Sequence, residues 1–214
     1  MRKYPSLYEH LNGGFTTVMK QRFVDEFSGA TLDVTKWGFN EASGNGTRTI
    51  DQDTVDGGYK MITSSSNSSN YMQLKGGGGT IRAFDAESSA FIAVCRAVST
   101  SDVAFYVGLQ EDSYFAADHR SNRSNYRLSH RNNLVGTGNT DSSVAIDYAW
   151  HTHSATTDGT NCKYSIDGIH QCTATGATLP SDGAGHLEPW WQVYTLNSGT
   201  SKQCSIRYFE AWNI

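Results

Sequence analysis

Short runs of large apolar residues recur along this chain at roughly 8–12-residue spacing, and none sustains a helical period. In Arg22-Phe23-Val24-Asp25-Glu26-Phe27, the set Phe23, Asp25 and Phe27 alternates with Val24 and Glu26, which suits a strand near a sheet edge. Gly58 to Thr63 and Tyr71 to Leu74 read as further strands, separated by the polar turn Ser64 to Ser69. Gly76 to Gly79 is a flexible corner that cannot be a regular strand interior. Ala90 to Ala97 reads as a central strand buried on both faces, with Val103 to Leu109 expected as its partner. From Trp150 to Cys172 the pattern predicts three short strands joined by tight turns at Asp158-Gly159 and Asp167-Gly168, because glycine tolerates the positive φ such turns need. The predicted class is therefore all-β, a two-sheet antiparallel sandwich.

Composition supports that class. The 214 residues suit one large β domain, and 5 Trp, 11 Tyr and 9 Phe supply buried area that a hydrophobic content of 37% would otherwise lack. Charged residues make up only 18%, and the net charge of −4 argues against a nucleic-acid binder. No stretch approaches the ~20 apolar residues of a membrane span. Residues 1–22 read as a separate arm, basic through Arg2, Lys3, Lys20 and Arg22 and apolar through Tyr4, Leu7, Tyr8, Leu11 and Phe15. The arm has no signal-peptide run. It is expected to anchor on a neighbouring subunit of a homo-oligomer or larger assembly, leaving residues 23–214 as the domain proper.

Cys95, Cys162, Cys172 and Cys204 show no CxxC spacing, so zinc and thioredoxin-type readings lack support. Cys162 and Cys172 flank the second Asp-Gly turn. A two-residue loop would put them on opposite faces, whereas a three-residue loop through Ile166 would set them opposite each other. The second register permits a disulfide worth roughly 3 kcal/mol. Cys95–Cys204 is a weaker pairing, and four buried thiols behaving as small apolar residues are the alternative.

Two stretches carry a resemblance. The spacing Trp150-His151, Asp158-Gly159-Thr160 and Tyr164-Ser165-Ile166-Asp167-Gly168 resembles the signature hairpin of laminin-G-like and concanavalin A-like jelly-roll sandwiches. The run FVDEFSG followed by LDVTKW (Phe23 to Trp37) looks like the opening of laminarinase-type glycoside hydrolases in the concanavalin A-like lectin/glucanase superfamily. The resemblance implies that the first strand lies beside the last, Ser205 to Trp212. It also implies a Glu-x-Asp-x-(x)-Glu catalytic strand whose carboxylates share one face. Here Glu9, Glu26, Glu41, Glu87, Glu111, Glu188 and Glu210 include no two within six positions. Leu109-Gln110-Glu111-Asp112-Ser113 is the nearest equivalent, with one Glu and an Asp pointing the other way. Calcium is common in the superfamily, yet no acidic loop here forms a recognisable cage, and Asp158 and Asp167 read as turn residues. No cofactor is expected.

The most unusual polar segment is Tyr114 to Asn133, with Arg120, Arg123, Arg127 and Arg131 among rings. A strand through Tyr126 to His130 would put Tyr126, Leu128 and His130 on one face and Arg127 and Ser129 on the other. Guanidinium groups beside rings suit acidic sugars or a partner's carboxylates; a solvated strand is the plainer account. Of Trp190 and Trp191, one should face the core and one outward, while Trp37, Trp150 and Trp212 read as core. Tyr114, Arg123, Tyr126, Arg127, His130, Arg131, Trp190 and Trp191 are thus the candidate ligand-binding residues, for a glycan or a protein surface. With the glutamate pair missing, the sequence predicts a non-catalytic recognition or structural module rather than an enzyme. A virion-surface decoration or fibre protein is the leading setting, and a secreted carbohydrate-binding module the alternative. A divergent hydrolase drawing on Glu111 and a distant loop is the third reading.

Overall fold

The computed structural model describes residues 22–41, 49–52, 57–63, 71–76, 84–180, 186–196 and 200–214. The expected arm, residues 1–22, lies outside them except for Arg22, as does the polar turn at 64–69. No helix of the described residues is long and apolar enough to cross a membrane.

Two eight-stranded antiparallel sheets form the sandwich. The first carries, in spatial order, β14 (Ile169–Thr175), β13 (Asn161–Ile166), β12 (His151–Thr157), β7 (Ser89–Ala97), β16 (Gln203–Asn213), β4 (Tyr59–Ile62) and β3 (Thr49–Gln52), with β1 (Arg22–Asp25) also on β16. The second carries β11 (Gly136–Ala145), β10 (Asn125–Asn132), β9 (Tyr114–Arg120), β8 (Val103–Gln110), β15 (His186–Thr195), β5 (Tyr71–Gly76) and β2 (Trp37–Glu41), with β6 (Phe84–Asp85) on β15.

The opening strand pairs with the closing one, Arg22 opposite Trp212 and Asp25 opposite Phe209, as the resemblance implied. Asp25 explains why this corner needs an acid. Buried, it accepts the Phe27 backbone N–H at 2.8 Å and the Trp37 indole N–H at 2.7 Å. Phe27 turns through φ 48°, bringing its ring within 5.6 Å of Trp37. Phe23, Phe209 and Trp191 close around that pair, and each aromatic contact adds about 0.5–1.5 kcal/mol beyond its buried area.

β7 is buried on both faces, as its unbroken apolar run predicts. Its expected partner is a correction. β8 lies in the other sheet, and β7 pairs with β12 and β16 instead. The connection after Ala97 crosses the sandwich, with Asp102 at φ 51° turning the chain. Trp150 and Trp212 are a second correction. Alternation along β16 sends Ala211 inward and Trp212 outward, so both tryptophans pack with Ile92, Val94 and Tyr208 on the outer side of the first sheet.

The meander β12–β13–β14 forms as predicted. Asp158 Oδ1 accepts the backbone N–H groups of Thr160 and Asn161, while Asp167 and Gly168 close the second turn at φ 52° and 79°. This is a two-residue loop, and a bulge beyond Tyr164 sets Cys162 opposite Ala174 and Cys172 opposite Tyr164. The proposed Cys162–Cys172 disulfide is therefore absent; Cys95 and Cys204 are free as well.

At one end of the interior His119 stacks on Phe105 at 4.9 Å, and His153 bonds the Tyr164 hydroxyl at 2.7 Å. Burial pushes their pKa values down from 6.5 to about 4 and about 3. Burial also disfavours the charged form of His151, but its contacts with Asp167 at 2.6 Å and Asp147 at 2.9 Å outweigh that and raise it. The folded state thus binds fewer protons at His119 and His153 than the unfolded chain below pH 6.5. Their stabilising contribution is complete above that value and is lost as pH falls towards 4 and 3. From pH 6.5 to 5 each ring is expected to cost about 2 kcal/mol, whereas the His151 contribution is lost as pH rises. Both His119 ring nitrogens lack a partner among the described residues, so His119→Phe should raise stability at pH 5 more than at pH 7.5. Urea denaturation at the two pH values measures this; equal effects would contradict it.

Candidate functional site

Strand alternation gives the second sheet an outward face of unusual content. Across β15, β8, β9 and β10, one row holds Glu188, Gln110, Tyr114 and Arg131, and the next holds Trp190, Gly108, Ala116 and Ser129. A third row holds Gln192, Tyr106, Asp118 and Arg127. Beyond it stand Tyr194, Ala104 and Arg120.

Gly108 makes the centre of this face. A Cβ there would lie 2.4 Å from the Phe115 carbonyl oxygen, so no larger residue fits. The gap lets Trp190 lie towards Ala116, stacked on Tyr106 at 4.9 Å with Tyr114 at 5.5 Å, and Tyr194 continues the platform 5.8 Å from Tyr106. The Trp190 indole N–H is buried and has no acceptor among the described residues.

Asp118 organises the charge. Its Oδ2 receives Arg127 at 2.5 Å and the Arg120 Nε at 3.3 Å, and Arg120 also donates to the Tyr106 hydroxyl. The Arg120 guanidinium lies 5.6 Å from the Tyr106 ring and 5.8 Å from that of Tyr194. Burial pushes the Asp118 carboxyl up while both guanidinium groups pull it down; burial likewise raises the Tyr106 and Tyr194 phenols.

At the other end lies a pair of glutamates. Glu188 sits opposite Gln110 on the neighbouring strand, and Glu111 follows in the turn whose N–H bonds the Ser113 carbonyl. Partial burial and then the charge of Glu111 raise the Glu188 pKa, opposed by Lys75, which stands 3.7 Å from Glu111. Gln73 donates to Gln110 at 3.0 Å nearby.

Of the sequence-predicted residues, Tyr114, Arg127, Arg131 and Trp190 meet on this face. Trp191 is fully buried in the core. Tyr126 and His130 share its inward side, as alternation required, and are corrected as ligand contacts. Tyr126 donates to the Asp147 carbonyl at 3.0 Å, and the His130 ring fills the space over Gly138, where a Cβ would lie 2.2 Å away. Arg123 is exposed in the β9–β10 turn, its N–H on the Arg120 carbonyl. Sequence reasoning missed Tyr106, Asp118, Arg120, Glu188 and Tyr194. The alternation Tyr114, Ala116, Asp118, Arg120 was a usable signal for Asp118 and Arg120, whereas Glu188 is joined to Glu111 only by strand pairing. Among the described residues no group of His, Cys, Asp and Glu could hold a metal ion.

Neither family models nor curated proteins match this sequence. Solved structures do match its shape. A β-1,3-glucanase from Mycobacterium marinum is 14% identical with a TM-score of 0.67, over 92% of this chain and 100% of that one. A glycosyl hydrolase family 16 protein from Mycobacterium smegmatis is 12% identical with a TM-score of 0.67, over 89% and 99%. A β-1,3-1,4-glucanase (lichenase) from a mouse hindgut metagenome is 11% identical with a TM-score of 0.66, over 90% and 98%. At these identities the likeness establishes the fold: the chain is a concanavalin A-like jelly-roll sandwich. It also corrects the expectation of a non-catalytic virion-surface module that is not an enzyme. Two of these structures are named as glucanases and one as a glycosyl hydrolase.

Because Arg127 is almost wholly buried against Asp118, Arg127→Met should cost about 3 kcal/mol by leaving that carboxylate to the longer contacts of Arg120. Arg120→Met, at a partly exposed position, should cost less. Urea denaturation of both variants reads the order; a reversed order would contradict the assignment of Arg127 as the main counter-ion.

Proposed function

We propose that the protein is a glycoside hydrolase acting on a polysaccharide laid across the outward face of the second sheet. One observation carries the reading: Glu188 on β15 and Glu111, in the turn that follows the neighbouring β8, stand at the head of an aromatic platform, with the Glu188 carboxyl raised by burial and by its neighbour. Hydrolysis of a glycosidic bond needs one carboxylic acid to protonate the leaving oxygen and a second carboxylate to act on the other side of the sugar. Burial and the charge of Glu111 favour the protonated form of Glu188, so Glu188 is the proton donor and Glu111 the second carboxylate. The half-buried Tyr194 and Tyr114 supply ring surface for pyranose stacking, backed by the buried Tyr106 and Trp190. The pair differs in origin from the expected catalytic strand, because the outward positions of β8 are Ala104, Tyr106, Gly108 and Gln110. The β-1,3- and mixed-linkage glucans named for the structural neighbours are the first substrates to try, alongside uronate and sulfated polysaccharides.

Release of reducing ends from that panel tests the reading. Glu188→Gln should lower kcat by at least about 10²-fold, the ordinary contribution of a general acid. The wild-type kcat/KM should fall as pH rises through the Glu188 pKa, because the donor loses its proton, and Glu111→Gln should move that limb to lower pH. No release from any polysaccharide, or full activity in Glu188→Gln, would overturn the assignment.

A further inference from the structure

The charge on the same face is uneven in a way the glutamate pair does not explain. One buried carboxylate, Asp118, is served by two guanidinium groups. Arg127 gives its Oδ2 contacts of 2.5 Å through both Nε and a terminal nitrogen, and Oδ1 is met by the Arg120 Nε at 3.4 Å. Arg120 thus commits its Nε to the acid and keeps terminal nitrogens beyond it. Its side chain is 26% exposed and lies 5.6 Å and 5.8 Å from the Tyr106 and Tyr194 rings, and Tyr106 accepts one of its N–H groups. Arg131 stands exposed on the same face beside Tyr114, and the exposed Asp141 of β11 lies opposite Arg127. The two glutamates lie at the far end of the platform, with Lys75. Between the ends, the buried Trp190 N–H has no partner among the described residues.

We propose that the Arg120 end of this platform is a subsite for an anionic sugar, its carboxylate or sulfate group received by Arg120 and its ring packed against the half-buried Tyr194. The proposal rests on the hydrolase reading for the location of the chain, but not on cleavage. A planar guanidinium fixed by Asp118 and by aromatic faces pays little ordering entropy when it binds an oxyanion, and it offers parallel N–H donors. Arg131 adds long-range attraction along the same face. The polysaccharide would run from the acidic pair, where the bond is cut, to the basic end, where its charge is read.

Isothermal titration with oligosaccharides of matched length tests this on the full chain, using oligogalacturonate for carboxylate, a carrageenan fragment for sulfate and laminarin fragments as the neutral control. At low salt at least one anionic probe should bind about tenfold or more tighter than the neutral one, and the advantage should shrink as salt rises. Arg120→Gln should remove about tenfold of the anionic affinity and leave neutral binding unchanged, with Arg120→Lys intermediate. Arg131→Gln, at an exposed position, keeps the test valid if Arg120→Gln does not fold; it should weaken anionic binding about threefold and flatten its salt dependence. Carboxylate and sulfate probes separate the two sources of charge. Anionic binding without reducing-end release from any polysaccharide would end the hydrolase reading and uphold the subsite. Cleavage of neutral glucan with no anionic preference would uphold hydrolysis and overturn the subsite.

Discussion

The outward face of the second sheet depends on a missing side chain. At Gly108 the backbone of β9 approaches so closely that even a methyl group would collide with the Phe115 carbonyl, and across from it Ala116 offers only a methyl. That hollow lets an indole lie along the sheet instead of standing away from it. Trp190 occupies it, Tyr106 and Tyr114 pack on Trp190, and Tyr106 in turn positions Arg120 and Tyr194. The chemistry of the face follows from a packing constraint at one glycine. A larger residue there would have to push β8 from β9 before it altered any charge.

The two sheets use their outer faces differently. On the first, Tyr208, Trp212, Ile92 and Val94 form an apolar patch with the buried Glu210, which Arg22 meets at 2.7 Å. On the second, apolar area is supplied by rings, and the Tyr106 hydroxyl accepts from Arg120. Aromatic side chains suit that second use because each combines large contact area with few rotatable bonds and a polar handle. A polymer of sugars presents the complementary pattern of flat C–H faces and oxygen edges. The pairing of glutamates at one end and arginines at the other gives the platform a direction.

Much of the scaffold was legible because its signals are local. Asp25 is two residues from Phe27 and twelve from Trp37, and the run containing all three announces the corner they build. The Asp-Gly turns announce the meander, and the unbroken apolar run of β7 announces a strand covered on both sides. What was misread depends on which strands pair. β8 has the composition of a partner for β7, yet a crossing connection sends it to the other sheet. The bulge after Tyr164 shifts the cysteines out of register, and no feature of the sequence between them marks it. The site divides the same way. The outward placement of Arg127 and the inward placement of Tyr126 and His130 follow from alternation, but alternation does not say which face is open to a ligand. Glu111 and Glu188 are far apart in sequence and become neighbours only through the β8–β15 pairing, so a search for closely spaced glutamates passes over them.

The coupling of that pair is the physical core of the functional account, and it can be read without knowing the substrate. Carbon-13 NMR titration of the Glu188 side-chain carboxyl, in the native chain and in Glu111→Gln, measures it directly. The account predicts a Glu188 midpoint above the ordinary glutamate value of 4.5 that moves down when the Glu111 charge is removed. A midpoint at the ordinary value, unmoved by the substitution, would contradict it.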